Sequence, residues 1–214
     1  MKRHMVRVLP ESVGLRDGAL AEPLAVALHA LNTAGRSAGG IRDRDVLVSG
    51  SGPIGLLVAG AARILGARSV TSSDMLAAPL ERARRIGADR TVQLGRDDPG
   101  EAAFDVVLEC SGSPGAVEPA IRAARRSATV CQVGTLPDEE ISVNIARLET
   151  KEISCVGTFR YGAEFDDAIT VIDQNPRITT AVTHTFPAGR AVEAFETARD
   201  SARSGKVLVS MWTD

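Results

Sequence analysis

The fold of this chain is decided by one stretch of its sequence, Asp45-Val46-Leu47-Val48-Ser49-Gly50-Ser51-Gly52-Pro53-Ile54-Gly55. Its first five residues form a short apolar run that predicts a buried strand, and the next six match the pattern G-x-G-x-x-G. A helix is predicted to begin at Pro53 and to end just before Gly66. A glycine turn between a strand and a helix is typical of folds that bind dinucleotides.

Apolar runs typical of strands alternate with helix-like segments on both sides of this turn. Before it, residues 6–9 indicate a strand, and Glu22-Pro23 opens a helix that Gly35 is expected to end. Further strands are predicted at residues 69–73, 90–93, 104–109, 128–133, 152–158, 180–186 and 206–210, and further helices at residues 77–86, 116–126, 164–173 and 190–203. This alternation predicts the α/β class, with a Rossmann-type doubly wound and mostly parallel sheet.

Composition and charge exclude several classes of protein. The 214 residues are 44% hydrophobic and 24% charged, and 25 basic residues against 27 acidic ones give a net charge of −2. This balance leaves no basic footprint for nucleic acid or for an anionic membrane. No apolar run approaches the roughly 20 residues of a membrane-spanning helix, and no apolar signal core follows Met1-Lys2-Arg3-His4. We therefore expect a cytoplasmic protein with neither nucleic acid nor membrane as a partner.

Cysteine and histidine residues are few and scattered. The sequence contains three of each, at Cys110, Cys131, Cys155, His4, His29 and His184. Their spacing suits neither a disulfide framework nor a thiolate zinc cage. Each cysteine lies in an apolar run and is expected to behave as a small buried hydrophobe. No complete metal site is therefore visible in the sequence.

The three glycines of the turn have separate roles in a dinucleotide site. Gly50 permits the tight turn, Gly52 lets the backbone approach a pyrophosphate, and Gly55 lets the helix pack closely on the strand. The first helical turn begins with Pro53 and Ile54, and its free N–H groups would face the phosphates.

Asp74 lies at the end of the strand predicted after this helix, where an acidic residue completes the motif. Its carboxylate can accept hydrogen bonds from both hydroxyls of an adenosine ribose, and it would repel a 2′-phosphate. The sequence therefore predicts NAD rather than NADP. Three alternatives stay open: a glycine turn that only packs, a site for S-adenosylmethionine, and a site for a flavin.

Six blocks of this sequence carry a specific resemblance, at residues 21–29, 50–55, 86–89, 104–112, 130–134 and 157–161. Their order resembles that of the zinc-dependent medium-chain alcohol dehydrogenases. The branch that they resemble most is that of sorbitol and L-idonate 5-dehydrogenases, on the strength of Glu22-Pro23-Leu24, Thr158-Phe159-Arg160-Tyr161 and Thr183-His184-Thr185-Phe186-Pro187. The resemblance covers essentially the whole chain.

The sequence also departs from that family. There, a GroES-like N-terminal domain supplies the cysteine, histidine and glutamate that hold the catalytic zinc, and this sequence has neither a Gly-His-Glu motif nor a cysteine cluster. The resemblance implies three parts. Residues 1–35 would be a remnant of the catalytic domain with a linking helix, residues 36–165 the NAD-binding Rossmann domain, and residues 166–214 a C-terminal return segment.

The resemblance assigns roles to single residues. Glu22 matches a glutamate beside the catalytic zinc, an outer or alternate ligand; the alternative is a carboxylate that only favours the helix start. Arg160 matches a residue that contacts the cofactor and a substrate hydroxyl; the alternative is a solvated surface arginine. The strand ends expected along the nicotinamide half of the cofactor are Cys110, Ser111, Gly112, Val133, Gly134, Thr135, Thr158, Phe159 and Arg160.

The resemblance implies an NAD-dependent oxidoreductase that acts on a secondary CH–OH group of a small-molecule polyol or sugar acid. Zinc in the intact family is a Lewis acid that stabilises the alkoxide while hydride leaves to the nicotinamide. This chain supplies at most Glu22 to a zinc site, so we expect the chain alone to be inactive. Two alternatives stay open: a non-catalytic NAD-binding module or truncated relic, and a zinc-free enzyme of the quinone-oxidoreductase type.

The chain is also expected to associate with copies of itself. The family forms dimers through the strand that matches residues 152–158, so the resemblance implies a homodimer or homotetramer. The opening strand and the final strand, residues 206–210, would leave unpaired edges in this chain, which favours oligomers or low stability.

Overall fold

A six-stranded parallel sheet lies at the centre of the computed structural model, which describes residues 6–211 of the chain. Its strands are β1 (Asp45–Ser49), β2 (Ser69–Asp74), β3 (Arg90–Gln93), β4 (Phe104–Glu109), β5 (Ala124–Gln132) and β6 (Ser154–Gly157). Their order across the sheet is β3-β2-β1-β4-β5-β6, and every neighbouring pair is parallel. The order reverses between β1 and β4, which opens a crevice at their carboxyl ends. The predicted Rossmann-type doubly wound α/β fold is confirmed.

Helices cover both faces of this sheet. They are α1 (Leu15–Gly18), α2 (Ala21–Ala38), α3 (Pro53–Ile64), α4 (Ala77–Ile86), α5 (Pro114–Ala123), α6 (Ala146–Lys151), α7 (Phe165–Gln174) and α8 (Ala191–Arg199). Residues of α2, α3, α4 and α7 share one buried cluster with Val46 and Val48 of β1. Leu47, between them, packs into a second cluster with α5 and α6. Successive strand residues thus serve opposite faces, and strands covered on both faces have the continuous apolar runs seen here.

The end of the described chain forms a second, two-stranded sheet. Its strands β7 (Val182–Pro187) and β8 (Lys206–Ser210) are parallel and are joined through α8. Short 3-10 helices precede and follow β7, at Pro176–Ala181 and Ala188–Arg190. The final strand was predicted to lack a partner, and this is wrong for the edge that pairs with β7. Between residues 6 and 211 no helix is long and apolar enough to cross a membrane.

Some predicted boundaries are wrong for local reasons. No strand forms over residues 6–10. The helix α2 continues past Gly35 and ends at Gly39, whose φ of 73° is the left-handed conformation that commonly terminates helices. The strand β5 begins at Ala124 rather than at residue 128, and α5 is correspondingly shorter, because Ala124 already has an extended backbone. The short helix α6 was not predicted.

Candidate functional site

The glycine turn after β1 is closed by contacts that only glycine permits. Gly50 has a φ of 92°, and a Cβ on it would lie 2.7 Å from the backbone nitrogen of Ser111. A Cβ on Gly55 would collide with the carbonyl oxygen of Gly50. The start of α3 therefore packs directly on the turn, in the arrangement expected for the first and third glycines of the motif.

Gly52 lies in a different environment, although it belongs to the same turn. A Cβ on Gly52 would meet no atom of the described chain within 4 Å. Gly52 immediately precedes α3, which begins with Pro53 and has no acidic residue in its first turn. The first N–H groups of a helix have no partner within the helix, and the open space beside Gly52 would let an anion such as a diphosphate approach them.

Asp74 lies beside this turn, at the end of β2. One oxygen of its carboxylate accepts a hydrogen bond from the Ser51 N–H at 2.8 Å, and the other accepts one from the Leu76 N–H at 3.0 Å. These bonds fix the carboxylate against the turn. Asp74 also lines a cavity of about 490 Å³ together with Gly50 and Ser111.

A second cavity, of about 500 Å³, lies on the other side of Ser111, which lines both. Its walls include Ile54 and the residues that follow three strands, namely Cys110 and Ser111 after β4, residues 133–135 after β5 and residues 158–160 after β6. The predicted site residues that line neither cavity are Glu22, Gly52, Pro53, Gly55 and Gly112. Together the two cavities form a crevice along the carboxyl ends of the strands, the place where open α/β sheets bind ligands.

The loops after β4 and β5 interlock through two glycines. Gly112 has a φ of 66°, and a Cβ on it would lie 2.5 Å from the carbonyl oxygen of Thr135. A Cβ on Gly134 would collide with the backbone nitrogen of Gly112. Gly112 is therefore a packing residue behind the crevice wall.

A buried carboxylate that was not among the predicted site residues supports these loops. Glu109, at the end of β4, is fully buried. It accepts hydrogen bonds from the N–H of Ser111 at 2.8 Å, the N–H of Gly112 at 3.1 Å and the Gln132 amide at 2.6 Å, and also from the Ser111 hydroxyl. A buried charge is tolerated when it is bonded in this way. The signal in the sequence was an acidic residue at the end of an apolar strand.

Arg160 lies on the rim of the second cavity in an unusual conformation. Its φ is 57°, a region that non-glycine residues rarely adopt. Its guanidinium lies 5.1 Å from the centroid of the Phe159 ring, within cation–π distance. The Phe159 side chain is largely exposed, with 76% of the residue accessible. Both side chains are thus displayed to whatever occupies the crevice.

A second bonded carboxylate lies just beyond this segment. Glu164 accepts hydrogen bonds from the Gly162 N–H at 2.8 Å and the Asn32 amide at 3.3 Å, and its Oε1 lies 2.9 Å from His29 Nδ1. Burial raises the pKa of Glu164, but the bonds from His29 and from the backbone outweigh it and hold the pKa at about 2. Glu164 is therefore a carboxylate at neutral pH, and it joins α2 to the chain after β6.

Cys110 and Cys131 are held as neutral thiols by their surroundings. Burial, with the nearby Glu109 charge, raises the pKa of the Cys110 thiol well above its usual range, and burial raises that of Cys131 to about 12. Cys110 lines the second cavity and Cys131 is fully buried within β5, so both residues pack as small apolar side chains.

Glu22 is exposed in the first turn of α2, and Val26, one turn further on, lines the second cavity. Within residues 6–211, no three or more histidine, cysteine, aspartate or glutamate side chains lie together so that they could hold a metal ion. His4 falls outside these residues. The residues present therefore do not form a zinc site around Glu22.

A doubly wound parallel sheet with a G-x-G-x-x-G turn at its switch point defines the class, a Rossmann-like α/β protein. Within that class the chain belongs to the zinc-binding dehydrogenase family, whose sequence model matches residues 53–174. The predicted resemblance to zinc-dependent medium-chain dehydrogenases is confirmed.

Several individual members of this family are similar to the chain over most of its length. Sorbitol dehydrogenase of Gallus gallus is 37% identical over 202 residues, which are 89% of this chain and 56% of the relative. The structure of L-idonate 5-dehydrogenase from Escherichia coli superimposes with a TM-score of 0.85 at 32% identity, over 94% of this chain and 59% of that one. A zinc-binding dehydrogenase structure from Sinorhizobium meliloti, bound to NADP, has a TM-score of 0.83 at 26% identity, over 94% and 61%. The chain thus spans little more than half the length of these relatives.

Proposed function

We propose that this chain is the cofactor-binding part of an NAD-dependent oxidoreductase that acts on a secondary CH–OH group of a polyol or sugar acid, of the sorbitol or L-idonate type. The observation that carries the proposal is the glycine turn at the switch point. Gly50 and Gly55 are locked together there, while the space beside Gly52 is open. That contrast is what a diphosphate site requires, because the backbone must both be rigid and leave room for the ligand.

Asp74 is the residue that would discriminate between NAD and NADP. Its carboxylate is held in place by the N–H groups of Ser51 and Leu76 at the wall of the first cavity. In this position it would accept bonds from the ribose hydroxyls of NAD and would repel the 2′-phosphate of NADP. Because a relative of 26% identity is bound to NADP, family membership alone does not decide the cofactor.

The second cavity would hold the nicotinamide half of the cofactor. Bound NAD supplies the hydride acceptor. The walls at Cys110, Val133 and Thr158 would exclude water from the ring, and the exposed Arg160 would contact the cofactor and a substrate hydroxyl. Zinc chemistry belongs to the family, and the residues described in this chain supply no set of ligands for it. Glu22 would at most be an outer ligand to a zinc ion held by residues outside this chain.

The test compares Asp74→Asn with the native chain by calorimetric titration with NAD and with NADP. Asparagine keeps the shape of the side chain but loses its charge, so we expect NAD affinity to fall about tenfold and the preference over NADP to shrink. Asp43→Asn, an exposed control at the opposite end of the sheet, should leave both affinities unchanged. Unchanged NAD affinity in Asp74→Asn, or no NAD binding by the folded native chain, would contradict the proposal.

A non-catalytic NAD-binding module is the second candidate, and the lack of a metal-ligand group within residues 6–211 favours it. Zinc analysis and an NAD-linked assay with sorbitol and idonate separate the two. Stoichiometric zinc with turnover would exclude the module, whereas NAD binding without either supports it and supports the expected inactivity of the chain alone.

We also propose that the protein is a homodimer or homotetramer. The strand β6 lies at the edge of the large sheet, and its residues Ser154, Cys155 and Gly157 are exposed. An exposed edge strand can pair with a second copy across a two-fold axis. Light scattering tests this, and a monodisperse monomer would contradict it. The cytoplasmic location and the division into three parts stay predictions.

A further inference from the structure

One wall of the second cavity is a short segment without regular structure. Thr158, Phe159 and Arg160 line the cavity, and this segment leaves the edge strand β6 before α7 begins. The backbone N–H of Thr158 bonds to the Gln132 carbonyl at 3.1 Å, which holds the start of the segment. From Phe159 onward the residues are exposed, so the far end needs its own anchor.

Arg160 shows that this far end is held under constraint. Its left-handed backbone conformation is unfavourable for a side chain of this size. Such a conformation persists only where the surrounding structure fixes the chain on both sides. The next backbone hydrogen bond along this segment is that of the Gly162 N–H.

The anchor at that point is the bonded carboxylate of Glu164. It receives the Gly162 N–H from the segment itself and side-chain groups of His29 and Asn32 from α2. Gly162 packs directly on this pair, since a Cβ there would lie 3.4 Å from Glu164 Oε2 and 3.7 Å from the His29 ring. The partners His29 and Asn32 belong to a long helix with a buried face, and are therefore a rigid support.

We propose that Glu164 is a positioning residue that clamps residues 158–162 to α2, and thereby sets the wall that Phe159 and Arg160 present to the nicotinamide half of the cofactor. This clamp, formed by Glu164, His29, Asn32 and Gly162, rests on the proposed NAD site. It acts on one half of that site only. The clamp residues line neither cavity, but residues 158–160 of the segment that they hold line only the second, where the nicotinamide half would lie.

Two ligands distinguish the adenosine half of the proposed site from its nicotinamide half. NADH reaches both cavities, whereas ADP-ribose lacks the nicotinamide ring and leaves the second largely empty. We expect Glu164→Gln to raise the Kd for NADH about fivefold and to leave the Kd for ADP-ribose unchanged. The matched control is Asp167→Asn, an exposed carboxylate in the first turn of α7, which should change neither. ADP-ribose binding also reports that Glu164→Gln is folded.

Further variants test the clamp as a unit. His29→Ala should weaken NADH binding as Glu164→Gln does, and the double variant should be no weaker than either, because the two changes remove one contact. His29→Gln keeps a side-chain N–H donor and should retain most of the affinity. Amide hydrogen exchange should speed up at residues 159–162 in Glu164→Gln, with β1 and α3 unaffected.

The possible failures are distinct. Equal loss of NADH and ADP-ribose affinity in Glu164→Gln, or native affinity for NADH, would overturn the clamp while the proposed function stands. A native chain that is folded but binds neither ligand would overturn the proposed function and the clamp with it.

Discussion

The two ends of the large sheet differ in the groups that make their contacts. At the amino end, charged side chains pair with one another. Asp45 accepts hydrogen bonds from Arg68 and Arg125 and from the Ser69 hydroxyl at 2.8 Å. Asp105 accepts the Asp45 N–H at 2.8 Å and lies 3.2 Å from Arg125. Every one of these charges already has its partner within the chain.

At the carboxyl end the backbone does most of the packing. Gly50, Gly55, Gly112 and Gly134 bring main-chain atoms so close that no side chain fits between them. Glu109 bonds to backbone N–H groups of the same loops. The helix starts of α3 and α5 point their free N–H groups to this end, where partial positive charge accumulates.

The difference favours the carboxyl end as the ligand-binding end, where both cavities lie. At the amino end, the carboxylates of Asp45 and Asp105 are bonded to Arg68 and Arg125 of the same chain. At the carboxyl end, glycines remove side chains from the turn before α3, and the first N–H groups of a helix have no partner within the helix. The position of a ligand site in an open α/β sheet thus follows from where helices begin, and the glycines make that place accessible.

The largest expected effect comes from Gly55→Ala. The added Cβ would collide with the Gly50 carbonyl, so either α3 or the turn must move. We expect the free energy of unfolding to fall by about 3 kcal/mol or more, with loss of NAD binding, because overpacking against backbone has no flexible partner to yield. Urea unfolding followed by circular dichroism measures the first, and calorimetry the second.

Gly52→Ala is the matched control within the same turn. Its Cβ meets nothing of the described chain within 4 Å, so stability should stay within about 0.5 kcal/mol of the native value. NAD affinity should nevertheless fall, since the Cβ occupies the path of the diphosphate. If the two variants lost stability equally, the distinction between locked and open glycines would be wrong.

The next largest loss of stability is expected for Asp45→Asn, at the amino end of the sheet. The hydrogen bond from Arg68, with further bonds from Ser69 and Arg125, holds the pKa of Asp45 well below its usual range despite burial. The Asp45 side chain is 23% exposed, which places it between a buried pair and a surface pair. We expect a loss of about 2 kcal/mol in the free energy of unfolding and no change in NAD affinity.

The pH dependence of that loss has a definite sign. A carboxyl group whose pKa is lowered by folding stabilises the fold above its unfolded pKa of about 3.9, and the contribution disappears as pH falls toward the folded value. The native chain and Asp45→Asn should therefore differ in stability at pH 7 and converge in strong acid. A constant difference across this range would assign the loss to packing instead of charge.

The sequence predicted the central fold well because its elements have local signals. The helix Ala77–Ile86 and the strand Phe104–Glu109 have the predicted bounds, the first ended by a glycine and the second a continuous apolar run. The boundary between α5 and β5 was missed because tertiary contacts decide it. Arg125 bonds to Asp45 and to the Ala103 carbonyl, and these contacts extend the chain that local propensity would keep helical.

Within the candidate site, the sequence located what is contiguous and missed what is assembled by folding. The glycine turn and Asp74 form a motif with fixed spacing. Glu109 and Gln132 lie 23 residues apart and Glu164 and His29 lie 135 apart, so neither pairing has a local pattern. Such carboxylates are recognised only when burial and partners are known.

The smallest effect expected is that of Asp98→Asn, in the loop between β3 and β4. Asp98 and Arg122 form a pair at 3.1 Å, similar in composition to the pairs of the amino end, but the Asp98 side chain is 56% exposed. The Gly100 N–H, together with Arg122, lowers the pKa of Asp98. Water screens such a pair and solvates each partner when the other is removed, so the midpoint of thermal unfolding should not change measurably. A loss as large as that of Asp45→Asn would show that the chemistry of the pair, rather than its burial, sets the size of the effect.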